Sequence, residues 1–428
     1  MAGPATASGY EERIRVALGR THNWIRPFVQ RLFRQFGSRL GHPQRQALVE
    51  FIRSDAGYVV AWDASIQPRI RRYSLASPAM APRAGALAAC ALPALPTPGD
   101  LAEWLGVSVG RLDWYADRRG MNRVAEGNLC HYRYKWIPKR HGGHRLVESP
   151  KPGLCEIQRK ILHEILDPVS VHGAAHGFRR DHSCLTYVGP HIGRQVVMRM
   201  DLRDFFGSIP AQRVNALFRK LGYPEATAAA LTGLCTNRVS NAAINAHSHS
   251  SGAPRIAWLE RRNLVAPHLP QGAPTSPALA NLCALHLDFR LAGLAGSLDG
   301  NYTRYADDIA LSGGESLRRS TGRIGNLVAA IALEEGFEVN HRKTRIMQSS
   351  DRQILTGIVI NDRTNLRRAE YDRLKATLYN CVRFGIDSQN RDGHRDYRAH
   401  LRGRVNYVRQ LNPSRGEKLE RLLQQLEA

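Results

Sequence analysis

In NYTRYADDIALSG, residues 301–313, two adjacent carboxylates, Asp307 and Asp308, sit inside a stretch that otherwise reads as β-strand. Asp is a poor strand former, and neighbouring carboxylates repel one another. A third, Asp201, follows the apolar start of VVMRMDLRDFF (196–206). Carboxylates embedded in apolar strands are costly unless they are paired or bound to metal. If the two strands pair, Asp201 and Asp307 are expected to face each other at one sheet edge, with Asp308 beside them. The local sequence offers this trio no basic partner, so divalent cations are the expected source of positive charge. Two Mg²⁺ (or Mn²⁺) ions about 4 Å apart would stabilise the attacking and leaving oxygens of a phosphoryl transfer.

The elements that must carry these residues are legible nearby. YRYKWIPKRHGGHRLVESP (132–150) alternates about a His-Gly-Gly turn and predicts a hairpin. LCEIQRKILHEIL (154–166) predicts an amphipathic helix stopped by Pro168, and AQRVNALFRKLGY (211–223) a second. SPALANLCALHLDFRLAGL (276–294) predicts one helix from a Ser276 cap, and GRIGNLVAAIALEEGFEVN (322–340) a helix followed by a strand. ILTGIVIN (354–361) reads as a strand, and helical patterns dominate from Arg367 onward. In PGDLAEWLGVSVGRLDWYAD (98–117), Asp100 and Ser108 are the expected caps of two short helices, and residues 11–55 read as one or two basic amphipathic helices. Strands interleaved with helices make the middle α+β, flanked by helical ends.

Charge narrows the partners. Sixty-one Lys and Arg against 37 Asp and Glu give a net charge of +24 over 428 residues. Such a surface attracts nucleic acid first and acidic membranes second. No apolar run is long enough to span a bilayer, the start lacks the order of a secretory signal, and no membrane partner is expected. Seven scattered cysteines with no CxxC pair argue against a disulfide framework or a zinc site and for a reducing cytosol. His247 and His249, in the polar stretch 236–258 expected to be a loop, form no metal box.

Tyr305-Ala306-Asp307-Asp308 resembles the signature of reverse transcriptases, and the surrounding blocks resemble that family in order and spacing. IPKRHGGHRLVESP (137–150) and HGFRRDHS (176–183) are similar to its fingers blocks. MDLRDFFGSI (200–209) is similar to the palm block with the first metal-binding aspartate. LPQGAPTSPALANL (269–282) and NHRKTRIM (340–347) are similar to the next two. Within the family the chain most resembles the bacterial retron type, although of the expected Asn-Ala-x-x-His element at 187–191 only His191 matches.

The resemblance implies a right-hand polymerase fold of fingers, palm and thumb, with an antiparallel palm sheet and a helical N-terminal extension. The expected parts are a basic helical extension (1–75), an Ala/Pro-rich linker (76–97), N-terminal helices and fingers (98–195), a palm (196–361) with a fingers insertion around 211–268, and a thumb (362–428).

It implies catalysis by Asp201, Asp307 and Asp308 on two Mg²⁺ ions, with the Leu202 carbonyl as a further ligand. Lys139 and Arg145 would hold the incoming triphosphate, and Phe206 would exclude a ribose 2′-hydroxyl. Gln271 and Gly272 would approach the nucleotide, while Lys343 would assist pyrophosphate departure. Arg402, Arg404 and Tyr407 would grip the RNA–DNA duplex. The implied partners are dNTPs, an RNA–DNA hybrid, a structured non-coding RNA serving as template and primer, and an effector protein. A bacterial cytoplasmic enzyme primed from an RNA 2′-hydroxyl and serving antiphage defence is the expectation. Its rivals are an intron-derived or defence-type reverse transcriptase and a non-catalytic RNA-binding protein, the last opposed by the intact aspartates.

Overall fold

The computed structural model describes residues 6–37, 45–64, 67–71, 78–121, 127–139, 143–248 and 258–426. The chain divides into two units, Met1–Ala79 and Met80–Ala428.

Among the described residues the first unit holds four helices, where one or two were expected over 11–55: α1 (Ala7–Leu18), α2 (Ile25–Phe36), α3 (Arg45–Ser54) and α4 (Ala56–Asp63). Leu18, Ile25, Phe28, Val29 and Leu32 form its small core. Asp55 ends one helix and starts the next. It accepts from the Tyr58 N–H at 3.0 Å and takes a two-nitrogen fork from Arg31 at 2.7 and 2.9 Å. That pairing holds its carboxyl below the usual range.

In the second unit the described part of the Ala/Pro-rich segment is packed chain rather than a free linker. The Ala81 N–H donates to the Gly222 carbonyl at 2.8 Å, and Leu95 lies in the main core. Helices α5 (Pro98–Leu105) and α6 (Val109–Tyr115) follow. Ser108 caps α6 as expected, but α5 is capped by Thr97, with Asp100 completing the reciprocal capping pair. Strands β1 (Tyr132–Pro138) and β2 (His144–Pro150) pair antiparallel, and the His141-Gly142 part of their turn lies outside the described residues. Helix α7 (Pro152–Ile161) continues through a π-helical turn to Leu166, and α8 (Cys184–Val188) precedes the palm.

Strand β3 (Val196–Asp201) enters the palm. The inserted helices are α9 (Ala211–Lys220), α10 (Glu225–Cys235), α11 (Asn241–Ser248) and α12 (Trp258–Val265). Part of 236–258, expected as loop, is thus helical, because Ile244 has a buried pocket to fill. His249 lies outside the described residues.

The single helix expected over 276–294 is two, α13 (Ser276–Cys283) and α14 (Leu285–Gly296), bent by 51°. Ser276 is not a side-chain cap: it is buried in the first turn, its Oγ without a described partner. Among the described residues no single helix is long and apolar enough to cross a membrane.

Strands β4 (Asn301–Tyr305) and β5 (Asp308–Gly313), helix α15 (Glu315–Glu334) and β6 (Arg345–Gln348) complete the palm. The sheet order is β4-β5-β3-β6, antiparallel throughout. Met198, Met200, Ile309 and Leu311 pack into the main core on one face. Val197 and Ala310 pack with Tyr187, Val188, Leu355 and Ile358 on the other. Burial on both faces explains why β3 reads as a continuous apolar run.

The strand expected near 337–340 is reduced to one bridge, Leu202 with Val339. ILTGIVIN is a tight hairpin of β7 (Ile354–Leu355) and β8 (Ile358–Val359) rather than one strand, turning at Thr356 and Gly357, both at positive φ. The C-terminal helices, expected as the thumb, are α16 (Arg368–Phe384), α17 (Tyr397–Leu411) and α18 (Pro413–Gln424), closed around Leu374, Leu378, Leu401, Val405, Val408 and Leu419.

Candidate active site

Asp201 ends β3 and Asp308 begins β5, and the antiparallel register pairs these two directly. The expected facing of Asp201 with Asp307 is therefore corrected. Asp307 lies in the two-residue turn before β5, and its backbone carbonyl accepts from the Leu202 N–H at 2.8 Å. Sequence-distant carboxylates do converge, because three neighbouring chain segments end at the same edge of one sheet.

The absence of a basic partner is also corrected. Arg199 forks onto Asp308, with Nε to Oδ1 at 3.0 Å and Nη2 to Oδ1 and Oδ2 at 2.7 and 3.0 Å. Lys343 Nζ sits 2.9 and 3.0 Å from the two Asp201 oxygens. Strand period could have disclosed Arg199, since residues two apart share a face. Lys343 arrives from a turn 142 residues away.

Asp307 has no ion pair among the described residues. Burial, then Asp201, then Asp308 push its pKa up to about 6. Burial also raises Asp308, an effect the Arg199 guanidinium opposes.

These oxygens suit a hard divalent cation, and Asp307, buried beside two other carboxylates, holds its proton more tightly than an ordinary aspartate. The arrangement does not close into a cage: among the described residues no group of three His, Cys, Asp or Glu side chains is placed to hold a metal ion. Arg199 and Lys343 hold two of the three carboxylates instead.

The other nucleotide-binding candidates lie on the β1–β2 hairpin, in the segment after β3 and in the turn before α13. Arg145 is exposed on β2. Lys139 lies just past β1, its ammonium 3.5 Å from Glu260 of α12, and Glu260 also feels Asp204 of the palm. Phe206 is half-buried, 6.1 Å from Phe178 and 5.5 Å from Phe205 by ring centroid.

Gln271 gives its carbonyl to the Glu148 N–H at 2.8 Å. Gly272 sits at φ +129, where a Cβ would stand 2.9 Å from the Glu148 carbonyl oxygen, so only glycine lets the loop lie this close to β2. The Leu202 side chain is buried. Arg402 and Tyr407 are exposed on α17 and Arg404 is half-exposed beside Tyr397 and His400, outside the buried stripe Leu401, Val405, Val408 and Leu411.

The supporting polar contacts escaped the sequence reading, which named His191 only as a match to the family. His191 is fully buried and bridges Ser312 Oγ and Thr303 Oγ1, each at 2.7 Å, tying α8 and its following turn to both strands of the β4–β5 hairpin. That role asks nothing of residues 187 and 188 beyond packing, which Tyr187 and Val188 supply.

Glu148 is buried with His268 at 2.9 Å and Asn237 at 2.7 Å. Burial alone would lower His268, but Glu148 outweighs it and its pKa rises. Arg304 and Asp288 form a wholly buried ion pair beside the turn between β4 and β5. All of these contacts span long sequence separations, so no local pattern announces them.

The family model for reverse transcriptase (RNA-dependent DNA polymerase) matches residues 137–360. This chain belongs to the reverse transcriptases. Among its relatives, Retron Mx65 reverse transcriptase of Myxococcus xanthus is 40% identical over 337 residues, which cover 78% of this chain and 73% of that one. Retron Mx162 reverse transcriptase of the same organism is 35% identical over 347 residues, covering 77% and 66%. Retron Ec86 reverse transcriptase of Escherichia coli is 33% identical over 236 residues, covering 55% and 64%. The chain is therefore a reverse transcriptase of retron type, an RNA-directed DNA polymerase of α+β polymerase fold. RNA template, dNTPs and a divalent cation are general requirements of this family.

Proposed function

We propose that this reverse transcriptase copies a structured non-coding RNA into DNA at Asp201, Asp307 and Asp308, starting from a 2′-hydroxyl of that RNA. The product is a branched RNA–DNA hybrid. The observation that carries the reading is the meeting of these three aspartates at one sheet edge, with Asp307 buried and without an ion pair among the described residues.

Divalent ions, two Mg²⁺ or Mn²⁺ in this reading, would lower the barrier by neutralising charge on the attacking and leaving oxygens. Asp201 and Asp307 would hold them, with Asp308 and the Leu202 carbonyl completing the set. Lys343 lies on Asp201, within reach of a leaving pyrophosphate, to which its ammonium can donate a proton. Arg145 offers a fork to the triphosphate, and Lys139 exchanges Glu260 for the same phosphates. Gln271 and Gly272 would border the base pair, and Phe206 would exclude a ribose 2′-hydroxyl. Arg402, Arg404 and Tyr407 line a basic helix suited to an A-form-like duplex.

The setting we propose is the bacterial cytoplasm, with an effector protein and a role in antiphage defence. The support for this part is the naming of the relatives as retron enzymes. The test is to purify the protein with its bound nucleic acid, sequence the RNA, and treat the DNA product with a 2′,5′-debranching activity. One structured RNA and a DNA whose 5′ end is freed only by debranching are expected. A free 5′ end before treatment would overturn 2′ priming.

A further inference from the structure

Arg304 lies in β4 with no exposed surface, and so does its partner Asp288 in α14. A buried ion pair is a poor way to gain stability, because apolar side chains of similar volume commonly do as well or better. The geometry around Arg304 gives it another purpose. Its Nε and Nη2 donate to the two Asp288 oxygens at 2.7 and 2.6 Å, and the Tyr302 hydroxyl donates to Asp288 Oδ1 at 2.7 Å. The remaining nitrogen, Nη1, donates to Asn281 Oδ1 at 3.0 Å and to the Ala306 carbonyl at 3.1 Å. That carbonyl belongs to the peptide that carries Asp307.

The turn needs an external hold. Ala306 sits at φ 55, a left-handed conformation that a residue with a Cβ adopts at a cost. The segment before α8 lies directly on it: a Cβ on Gly177 would stand 2.7 Å from the Ala306 nitrogen. Asn281 donates to the Gly177 carbonyl at 2.8 Å. The Arg304 backbone donates to Ala174 at 2.7 Å and accepts from His176 at 2.8 Å. The Arg304 guanidinium thus joins α13, α14 and the turn that carries Asp307, while its backbone and Asn281 tie the 174–177 segment to the same place.

We propose that Arg304 is a positioning residue for catalysis: held by Asp288 and Asn281, it fixes the Ala306–Asp307 peptide and so the aim of the Asp307 carboxylate. The inference rests on the catalytic assignment of Asp307. Arg304 touches no substrate, and its removal would misdirect a reacting group without emptying the nucleotide pocket.

Single-nucleotide incorporation on an RNA template with a DNA primer separates this role from plain stability. The variants are Arg304→Lys, which keeps the charge and loses the fork, and Asn281→Ala, which leaves the Asp288 fork whole. Leu291→Ala, in the core of α14, is the packing control, and Asp307→Asn the reference.

Arg304→Lys and Asn281→Ala are expected to lower the maximal rate about ten- to a hundredfold with the dNTP KM within about threefold. Leu291→Ala is expected to lower Tm at least as much yet keep the rate. Rates that track Tm across all three variants would make the role merely structural and overturn the proposal. If Arg304→Lys does not fold, Asn281→Ala decides alone. An active Asp307→Asn would remove the catalytic reading beneath the inference, whereas an inactive Asp307→Asn beside normal Asn281→Ala and Arg304→Lys rates would overturn the inference only.

Discussion

Arg304 and Arg199 each grip an aspartate with a two-nitrogen fork, the first at 2.6 and 2.7 Å, the second at 2.7 to 3.0 Å. Arg304 and Asp288 are entirely enclosed, whereas the Arg199 and Asp308 side chains keep 34% and 16% of their surface. In the enclosed pair, parting would strand two charges in a medium that cannot solvate them, so it behaves as framework. In the open pair, water and incoming ions compete for both partners, so the contact is exchangeable. The same chemistry serves as a fixture in one place and as a removable counter-charge in the other. The difference lies in solvent access rather than in bond length.

The comparison breaks most visibly if Asp288→Ala proves mild. Stranding the Arg304 charge is expected to cost about 3–5 kcal/mol in urea unfolding. A loss below about 1 kcal/mol would mean water reaches the site.

An intermediate effect is expected at His191, a buried group with no charge partner, whose pKa burial drives down to about 3. In the unfolded chain the ring protonates near pH 6.5, so the unfolded state binds the extra proton between those values. Stability from this residue is complete above pH 6.5 and falls by about 1.4 kcal/mol per pH unit as pH drops toward 3. Stability against pH in wild type and His191→Gln measures it, the variant being expected to show a shallower acid slope.

The smallest effect is expected at Arg199→Gln, within about 1 kcal/mol of wild type. A loss comparable to that of Asp288→Ala would place Arg199 in the framework and erase the distinction.

What the sequence discloses follows the range of the forces involved. Apolar strands carrying aspartates, a tight turn and amphipathic helices are written in spacing, so β3, the β4–β5 hairpin and the thumb helices could be read directly. The bend at Ala284 could not, because the apolar pattern runs unbroken through it and burial on both sides hides a change of direction. The packing of Leu95 and Ala81 within the second unit escaped an Ala/Pro composition that reads as linker. Among the site residues, types and order identified the aspartates, but their register and cationic partners depend on pairing across more than a hundred positions. Arg199 was the readable exception, two residues from Asp201 on the same strand face.

One measurement bears most directly on the central claim, that the aspartates at the sheet edge perform DNA synthesis. It is the rate of single dNTP addition to a DNA primer on an RNA template, compared between wild type and Asp307→Asn at equal folded fraction. Loss of about a hundred- to a thousandfold or more, with primer–template binding kept, is the predicted result. Rates within about threefold of each other would contradict it.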